Sequence, residues 1–251
     1  PKSATFRTAD VVGLDTLVKV ADGVAAHCPQ DEAKEIFRIP SWLKTMIENK
    51  WLGDKSGQGF FKKTKNAEGK SEILVLDPAS LSYGPRSKPK FATVEAAKPI
   101  ENLAHRIKAL LNGQDKAATF YKKFHYGLFS YIAHRIPEIS DEVFRVDDAM
   151  KAGFGWEIGA FESWDALGVA STVKAMQAEG YTLPGWINTM LEKGNTSFYT
   201  VENGRQLYYD IQTQSYVAVP GGDAFIVMRN FKDQTVWKNS ACRTYNLGAD
   251  V

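Results

Sequence analysis

A glycine-rich stretch, WLGDKSGQGFFKK, contains residue types that could bind a phosphate group. Gly53, Gly57 and Gly59 could leave backbone N–H groups open to an anion, and Lys55 and the two lysines that end the stretch add positive charge. The stretch matches neither GxxxxGK[ST] nor GxGxxG, and it runs from a predicted helix into a predicted strand, the reverse of a nucleotide loop. A tight turn is therefore favoured, because glycine commonly ends helices. Lys55 is the one candidate for substrate binding.

A second motif, FRTADVVGLDTL, combines acidic residues with a helix breaker. Its apolar spacing predicts a helix that is interrupted at Gly13. Asp15 is placed to cap the continuation by accepting a backbone N–H bond. We interpret the motif as packing and capping without chemistry of its own.

The usual catalytic and metal-binding patterns do not occur. The four histidines are scattered, at His27, His105, His125 and His134. The chain has no HExxH and no GxSxG pattern, so it supports neither a general base nor a nucleophile. Cys28 and Cys242 stand far apart, which favours neither a disulfide framework nor a zinc cluster. We predict no catalytic, cofactor-binding or metal-ligating residue in this chain.

The composition is that of a globular protein in a reducing cytoplasm. Of 251 residues, 44% are hydrophobic, and no apolar run is long enough for a membrane span. Lys plus Arg number 31 against 29 Asp plus Glu, a formal charge of +2, which gives no general attraction to nucleic acid. Aromatic residues and lysines could bind single-stranded nucleic acid, but no basic aromatic platform on adjacent β-strands is evident. We expect no nucleic-acid partner.

An internal repeat organises the chain. Residues 4–19 match residues 159–174 at a constant offset, and IPSWLKTMIENK later matches LPGWINTMLEKG. Each copy then changes to strand-like sequence around a glycine turn, which predicts a β-hairpin. The order helix, helix, hairpin thus occurs twice. The predicted fold class is mainly α, with two pseudo-repeated helical units that each end in a short β-hairpin.

The remaining segments define the predicted domains. Helices are predicted over about 116–136, 141–151 and 100–112, whereas the Pro- and Lys-rich residues 82–99 read as a linker. The alternating tail after Pro220 predicts one or two strands. The predicted domains are therefore 1–85, a first repeat truncated at its N-terminus; 86–114, a linker and connecting helix; 115–219, a second, degenerate repeat; and 220–251, a tail.

Only the second copy has a long helical region in front of it. The economical explanation is that the chain begins partway into its first repeat, with a comparable helical segment upstream. Residues 1–24 should then pack poorly, or use a partner chain to cover their apolar face.

The two motifs together resemble the C-terminal domain of 3-hydroxyacyl-CoA dehydrogenases, whose usual form reads like FxLxDxxGLDxxxxI and then PxxLxxMxxxGxLGxKxGxGFY. The second pattern is matched at Pro40, Leu43, Met46, Leu52, Gly53, Lys55, Gly57, Gly59 and Phe60. Phe61 stands where Tyr is more usual, and NTSFYT in the second copy departs from the loop pattern. The tandem arrangement resembles a multifunctional enzyme in which an NAD-binding domain precedes the repeats and an enoyl-CoA hydratase domain follows. The final stretch TVWKNSACRTYNLGADV is similar to the first strands of that hydratase domain.

The resemblance implies oxidation of 3-hydroxyacyl-CoA to 3-ketoacyl-CoA by hydride transfer to NAD in fatty-acid β-oxidation. The family's catalytic His and Glu lie in the NAD-binding domain, and its substrate-binding Asn lies in the first helix of the helical domain. None of these positions is matched here, so the chain alone is expected to be inactive and to bind no cofactor. Its role would be to cover the acyl-CoA cleft and to support dimerisation, in a homodimer or between tandem copies. The alternative is a non-enzymatic helical interaction or scaffold module.

Overall fold

The computed structural model describes residues 4–224 and 226–247, so predictions for residues 1–3, 225 and 248–251 lie outside the described residues. The chain divides into two compact units, Pro1–Pro89 and Lys90–Val251. Helices dominate the described part, and the strands form small antiparallel sheets. The α-helices are α1 Thr5–Val12, α2 Leu14–His27, α3 Ser41–Glu48, α4 Ala92–Ala97, α5 Leu103–Leu111, α6 Lys116–His134, α7 Val143–Phe154, α8 Ala160–Leu167, α9 Val169–Ala178 and α10 Gly185–Glu192. The strands are β1 Phe61–Lys65, β2 Ser71–Asp77, β3 Ser82–Pro85, β4 Tyr199–Glu202, β5 Arg205–Asp210, β6 Ser215–Ala218, β7 Thr235–Lys238 and β8 Arg243–Tyr245.

The first unit begins with two helices that meet at a glycine. Gly13 has φ 101°, a conformation that L side chains rarely adopt, and it separates α1 from α2 as the sequence predicts. Helix α3 follows a proline in extended conformation, Pro40. The small core of this unit consists of Leu14, Leu43, Met46, Phe60 and Leu76.

A three-stranded antiparallel sheet, in the order β1-β2-β3, closes the first unit. Phe61 pairs with Val75, and Leu76 pairs with Tyr83. The prediction of a simple hairpin is incomplete, because Ser82–Pro85 adds a third strand where the sequence reads as a linker. The prolines and lysines of this segment obscured a strand that is only four residues long.

The second unit is larger and has a core rich in aromatic residues. The 19-residue helix α6 packs against α8, and the Phe129 ring stacks on Trp164 at 4.9 Å between centroids. Helices α4 and α5 also pack on α6. Residues 92–97 are therefore helical, a correction to the predicted linker. Burial of Ala97 supplies the reason, since it is 2% exposed.

The second unit ends in two sheets. The order β4-β5-β6 again gives three antiparallel strands instead of the predicted hairpin. The tail contains a two-stranded antiparallel sheet, β7-β8, with short 3₁₀ segments at Gly222–Ala224 and Met228–Gln234. Of the residues that the structure describes, none forms a helix long and apolar enough to cross a membrane.

Candidate functional site

A buried carboxylate joins α1 to the glycine-rich loop of the first unit. Asp10 is 1% exposed, and its two oxygens accept the backbone N–H groups of Phe60 and Phe61, each at 2.8 Å. Burial raises the pKa of Asp10, and the two N–H bonds act in the opposite direction. Asp10 thus fixes the start of β1 against α1, which is the packing role that the sequence predicts for its motif.

The glycines of the loop are explained by the close approach of α1. Gly53 has φ 100°, and a Cβ atom there would collide with the backbone oxygen of Asp10. A Cβ atom on Gly59 would collide with the Asp10 carboxylate. Gly57 has φ 78° and open space around it, so only its backbone conformation favours glycine.

Backbone N–H groups of the glycine-rich loop donate hydrogen bonds within the loop. Four of them donate to carbonyl groups within residues 53–61, namely those of Gly53, Ser56, Gly57 and Gly59. Tyr83, on the unpredicted strand β3, donates its hydroxyl to the Gly59 carbonyl at 2.6 Å. The loop is therefore a self-bonded turn between helix and strand, and it does not fit the pyrophosphate of NAD.

Lys55, the predicted substrate-binding candidate, lies at the edge of this loop. Its Nζ atom is 2.5 Å from Asp15 Oδ1, and the pair is partly exposed. Arg7 and Asp54 form a neighbouring bidentate pair at 2.5 and 2.7 Å. The lysine bond lowers the pKa of the Asp15 carboxyl. Asp15 is not the N-cap of α2, because Gly13 occupies that position. It is the second residue of the helix, where it bonds to Lys55 and accepts backbone N–H bonds within the first turn, as the sequence predicts.

Apolar side chains of α1 and α2 remain open to solvent. Within the described part of the first unit, the exposed large residues of these helices, here called the α1–α2 surface, are Phe6 (54%), Val11 (62%), Val12 (53%), Leu17 (39%) and Val20 (59%). Such a concentration on two short helices is typical of an interaction site. The sequence predicts this poor packing for residues 1–24, of which 1–3 are not described.

The second unit has a similar carboxylate arrangement in a fully packed setting. Asp165 accepts the N–H groups of Phe198 and Tyr199, at 2.7 and 2.9 Å. Asp147, which is 0% exposed, accepts the hydroxyl of Tyr199 at 2.9 Å and the N–H groups of two α8 residues. Burial raises the pKa of Asp147 to about 6 and that of Asp165 to about 7, and each further raises the pKa of Tyr199.

Sequence reasoning missed Asp147 and Tyr199. Asp147 lies in a short predicted helix with no motif around it, and its oxygens reach α8 across 14 residues of sequence. Tyr199 lies in the stretch that departs from the loop pattern of the first copy. Only the burial of both groups distinguishes them, and a single sequence does not show burial of an acidic residue.

In the second unit, two consecutive helices that also meet at a glycine, α8 and α9, have buried apolar residues. Phe161 of α8 and Met176 of α9 are 0% exposed, and α6 supplies Phe129 over Trp164. The sequence repeat aligns Phe161 with Phe6. The first unit has no counterpart of α6 among its described residues.

Comparisons with known proteins give a consistent result. Residues 1–63 match the model of the 3-hydroxyacyl-CoA dehydrogenase C-terminal domain. A "Probable 3-hydroxyacyl-CoA dehydrogenase" of Bacillus subtilis is 44% identical over 100% of this chain and 31% of its own length. A "Putative fatty acid oxidation complex trifunctional enzyme" of Rickettsia felis is 22% identical over 94% of this chain and 31% of its own length. The chain thus spans about a third of each of these two relatives.

The helical units, the motif pair and these matches define one class of protein domain. The chain contains a C-terminal domain of the 3-hydroxyacyl-CoA dehydrogenase family.

Proposed function

We propose that this chain is the central substrate-cleft and dimerisation-type region of an NAD-dependent 3-hydroxyacyl-CoA dehydrogenase of fatty-acid β-oxidation. The parent enzyme would oxidise 3-hydroxyacyl-CoA to 3-ketoacyl-CoA. The 44% identity to the Bacillus protein over the whole chain carries the proposal, because it includes both units and the tail. The name of the Rickettsia relative supports a multifunctional parent.

The buried carboxylates support a structural role for this region. Asp10, Asp147 and Asp165 each accept two backbone N–H bonds inside the fold. A general base needs to reach a substrate proton, and these oxygens are committed to the main chain instead. The reactive groups and NAD would belong to an upstream NAD-binding domain, so the isolated chain would be inactive.

We propose further that the two units are degenerate copies of one element. Gly13 and Gly168 have φ 101° and 91° between consecutive helices, and Pro40 and Pro184 precede equivalent helices. Leu81 and Gln214 both have φ 53° in the turn before the third strand. A residue with a β carbon rarely adopts such a conformation, so the same departure at aligned positions favours common origin.

The third strand supplies a further parallel. Tyr83 donates to the Gly59 carbonyl, and Tyr216 donates to the Ser197 carbonyl at 2.7 Å. The sequence repeat aligns these tyrosines. The Tyr83 hydroxyl bonds β3 to the loop between α3 and β1, and the Tyr216 hydroxyl bonds β6 to the segment between α10 and β4.

The α1–α2 surface would be covered in the parent enzyme by a helix equivalent to α6, or by a second chain in a homodimer. The packing of α6 on α8, with Phe129 stacked on Trp164, supports an amphipathic helix with aromatic residues as the cover. The parent would also bind acyl-CoA, carry an enoyl-CoA hydratase domain downstream of the tail and reside in the cytoplasm.

The experiment compares the isolated chain with the full-length protein that carries this sequence. Formation of NADH from a 3-hydroxyacyl-CoA is followed by absorbance with each. We expect NADH formation by the full-length protein and none above buffer by the isolated chain. Activity of the isolated chain would contradict the proposal that the reactive groups belong to an upstream NAD-binding domain. Inactivity of a folded full-length protein would favour the non-enzymatic scaffold instead.

A further inference from the structure

A polar cavity of about 260 Å³ lies between α5, α6 and the first turns of α9 in the second unit. Its size is below that of a drug-sized ligand site, which occupies about 300–1,000 Å³. It could therefore hold a small group or one end of a larger molecule. The glycine-rich loop belongs to the other unit, so this cavity is separate from that loop.

The charge of the cavity lining has one sign. Lys108 of α5 and Lys122 of α6 line it, and no acidic residue does. Within the described ranges, neither lysine forms an ion pair or a hydrogen bond, in contrast to Lys55 and Lys151. Two unpaired ammonium groups at one small cavity attract an anion and repel a cation.

The cavity also presents hydroxyl groups without partners. Tyr126 and Thr172 line it and are only 7% and 6% exposed. Neither side-chain hydroxyl has a hydrogen-bond partner in the part of the chain that the structure describes. Neither oxygen is among the fully buried side-chain atoms that lack a partner, so both hydroxyls are open to the cavity and available as donors to a ligand. Burial raises the pKa of Tyr126, and the Glu179 carboxylate outside the lining raises it further, so the hydroxyl stays protonated as a donor.

Neutral donors complete the lining. Asn112 and Gln114 contribute side-chain amides between α5 and α6. Ammonium, amide and hydroxyl groups around a compact space match the oxygen atoms of a phosphate, which accept several hydrogen bonds at once.

We propose that this cavity binds the phosphate group of a phosphorylated small molecule, held by Lys108 and Lys122 with Tyr126 and Thr172 as hydroxyl donors. The bound phosphate group is either free phosphate or part of the phosphorylated adenosine end of coenzyme A. The second source rests on the proposed function, whereas the site itself does not.

Binding is measured directly by isothermal titration of the 251-residue chain with inorganic phosphate, adenosine 3′,5′-bisphosphate and coenzyme A, at low and high salt. We expect saturable binding of at least one of them, weakened by salt. The double variant Lys108→Gln, Lys122→Gln should weaken binding by about tenfold or more. Lys174→Gln, Lys193→Gln is the matched control, because these exposed lysines of the same unit do not line the cavity.

Ser171→Asp is a second variant that should not impair folding. Ser171 lies in the first turn of α9, where an acidic residue favours the helix, and it lines the cavity, where a negative charge repels phosphate. We expect weaker binding with unchanged circular dichroism. Tighter binding of coenzyme A than of phosphate would identify the nucleotide end as the source, and equal binding would identify free phosphate, either result supporting the site. No saturable binding, or equal binding by both cavity variants and the control, would overturn the proposal.

Discussion

At the residue scale, one carboxylate in each unit organises the junction of helix and sheet. Asp10 and Asp165 each accept the N–H groups of two consecutive residues just where the chain enters a strand. These donors lie where no strand partner or helix turn satisfies them, and a buried unpaired N–H group is costly. The aspartates are therefore structural, although acidic residues in a motif first suggest chemistry.

Replacing Asp10 tests this role. Asp10→Ala leaves the N–H groups of Phe60 and Phe61 buried without an acceptor, and we expect the free energy of unfolding to fall by about 2–4 kcal/mol. Urea denaturation measures the loss. Asp22→Ala is the control, because Asp22 lies exposed on α2 and should change the stability by less than about 0.5 kcal/mol. Equal effects of the two substitutions would contradict the structural role.

The buried acids of the second unit predict a dependence of stability on pH. Asp165 has a pKa of about 7 against 3.8 for an ordinary aspartate. The contribution of protonated Asp165 to the free energy of unfolding is fully present below about pH 3.8 and is lost as the pH rises through 7. We expect the free energy of unfolding to fall by roughly 2 kcal/mol between pH 5 and pH 8 from this group.

The variant Asp165→Asn isolates that contribution. Asparagine does not titrate, so urea denaturation at pH 5 and pH 8 should show a smaller difference than in the unmodified chain. A residual difference is expected from Asp147, whose pKa is about 6. An unchanged pH dependence would show that Asp165 is ionised in the folded chain at the lower pH.

Two glycines of the loop allow the cost of an unfavourable backbone conformation to be measured apart from the cost of a steric collision. Gly53→Ala combines φ 100° with a collision against the Asp10 backbone, and we expect a loss of at least about 3 kcal/mol. Gly57→Ala meets open space at φ 78° and should cost about 1 kcal/mol. Thermal unfolding compares them. A similar loss in both variants would mean that α1 does not approach the loop as closely as described.

At the scale of elements, the sequence predicts long periodic helices well and short strands poorly. The helix predicted over about 116–136 is observed at Lys116–His134, because its apolar residues recur at helical spacing. Strand β3 and helix α4 lie in a Pro- and Lys-rich segment and are stabilised by packing within their own units. A local pattern does not carry that information. The cavity beside α9 was likewise unpredicted, because α5, α6 and α9 bring its residues together across more than 60 positions.

The α1–α2 surface makes a prediction at this scale. Val20→Lys should change the stability of the isolated chain by less than about 0.5 kcal/mol, because the side chain is already exposed. In the full-length protein it should weaken the packing of the covering helix or second chain, and sedimentation should show more dissociated or expanded material. Ile36→Lys is the control, since Ile36 is 80% exposed but lies outside α1 and α2. Equal behaviour of both variants would remove the case for an interaction surface.

At the scale of the whole molecule, the paired helices of the two units differ in the burial of their apolar residues. In the second unit α5, α6 and α7 pack against α8, whereas α1 and α2 carry exposed apolar side chains. The motif pair could be recognised from sequence alone, because glycine, proline and aspartate at fixed spacing reflect specific backbone requirements. Which helix pair is covered depends on contacts between residues far apart in the sequence, and only the structure shows these contacts.

Hydrogen exchange of the backbone amides, in the isolated chain and in the full-length protein, tests this account most directly. We predict that α1 and α2 exchange faster than α8 and α9 in the isolated chain, and that they become protected in the full-length protein while α8 and α9 change little. Equal protection of both helix pairs in the isolated chain, or no gain at α1 and α2 in the full-length protein, would contradict it.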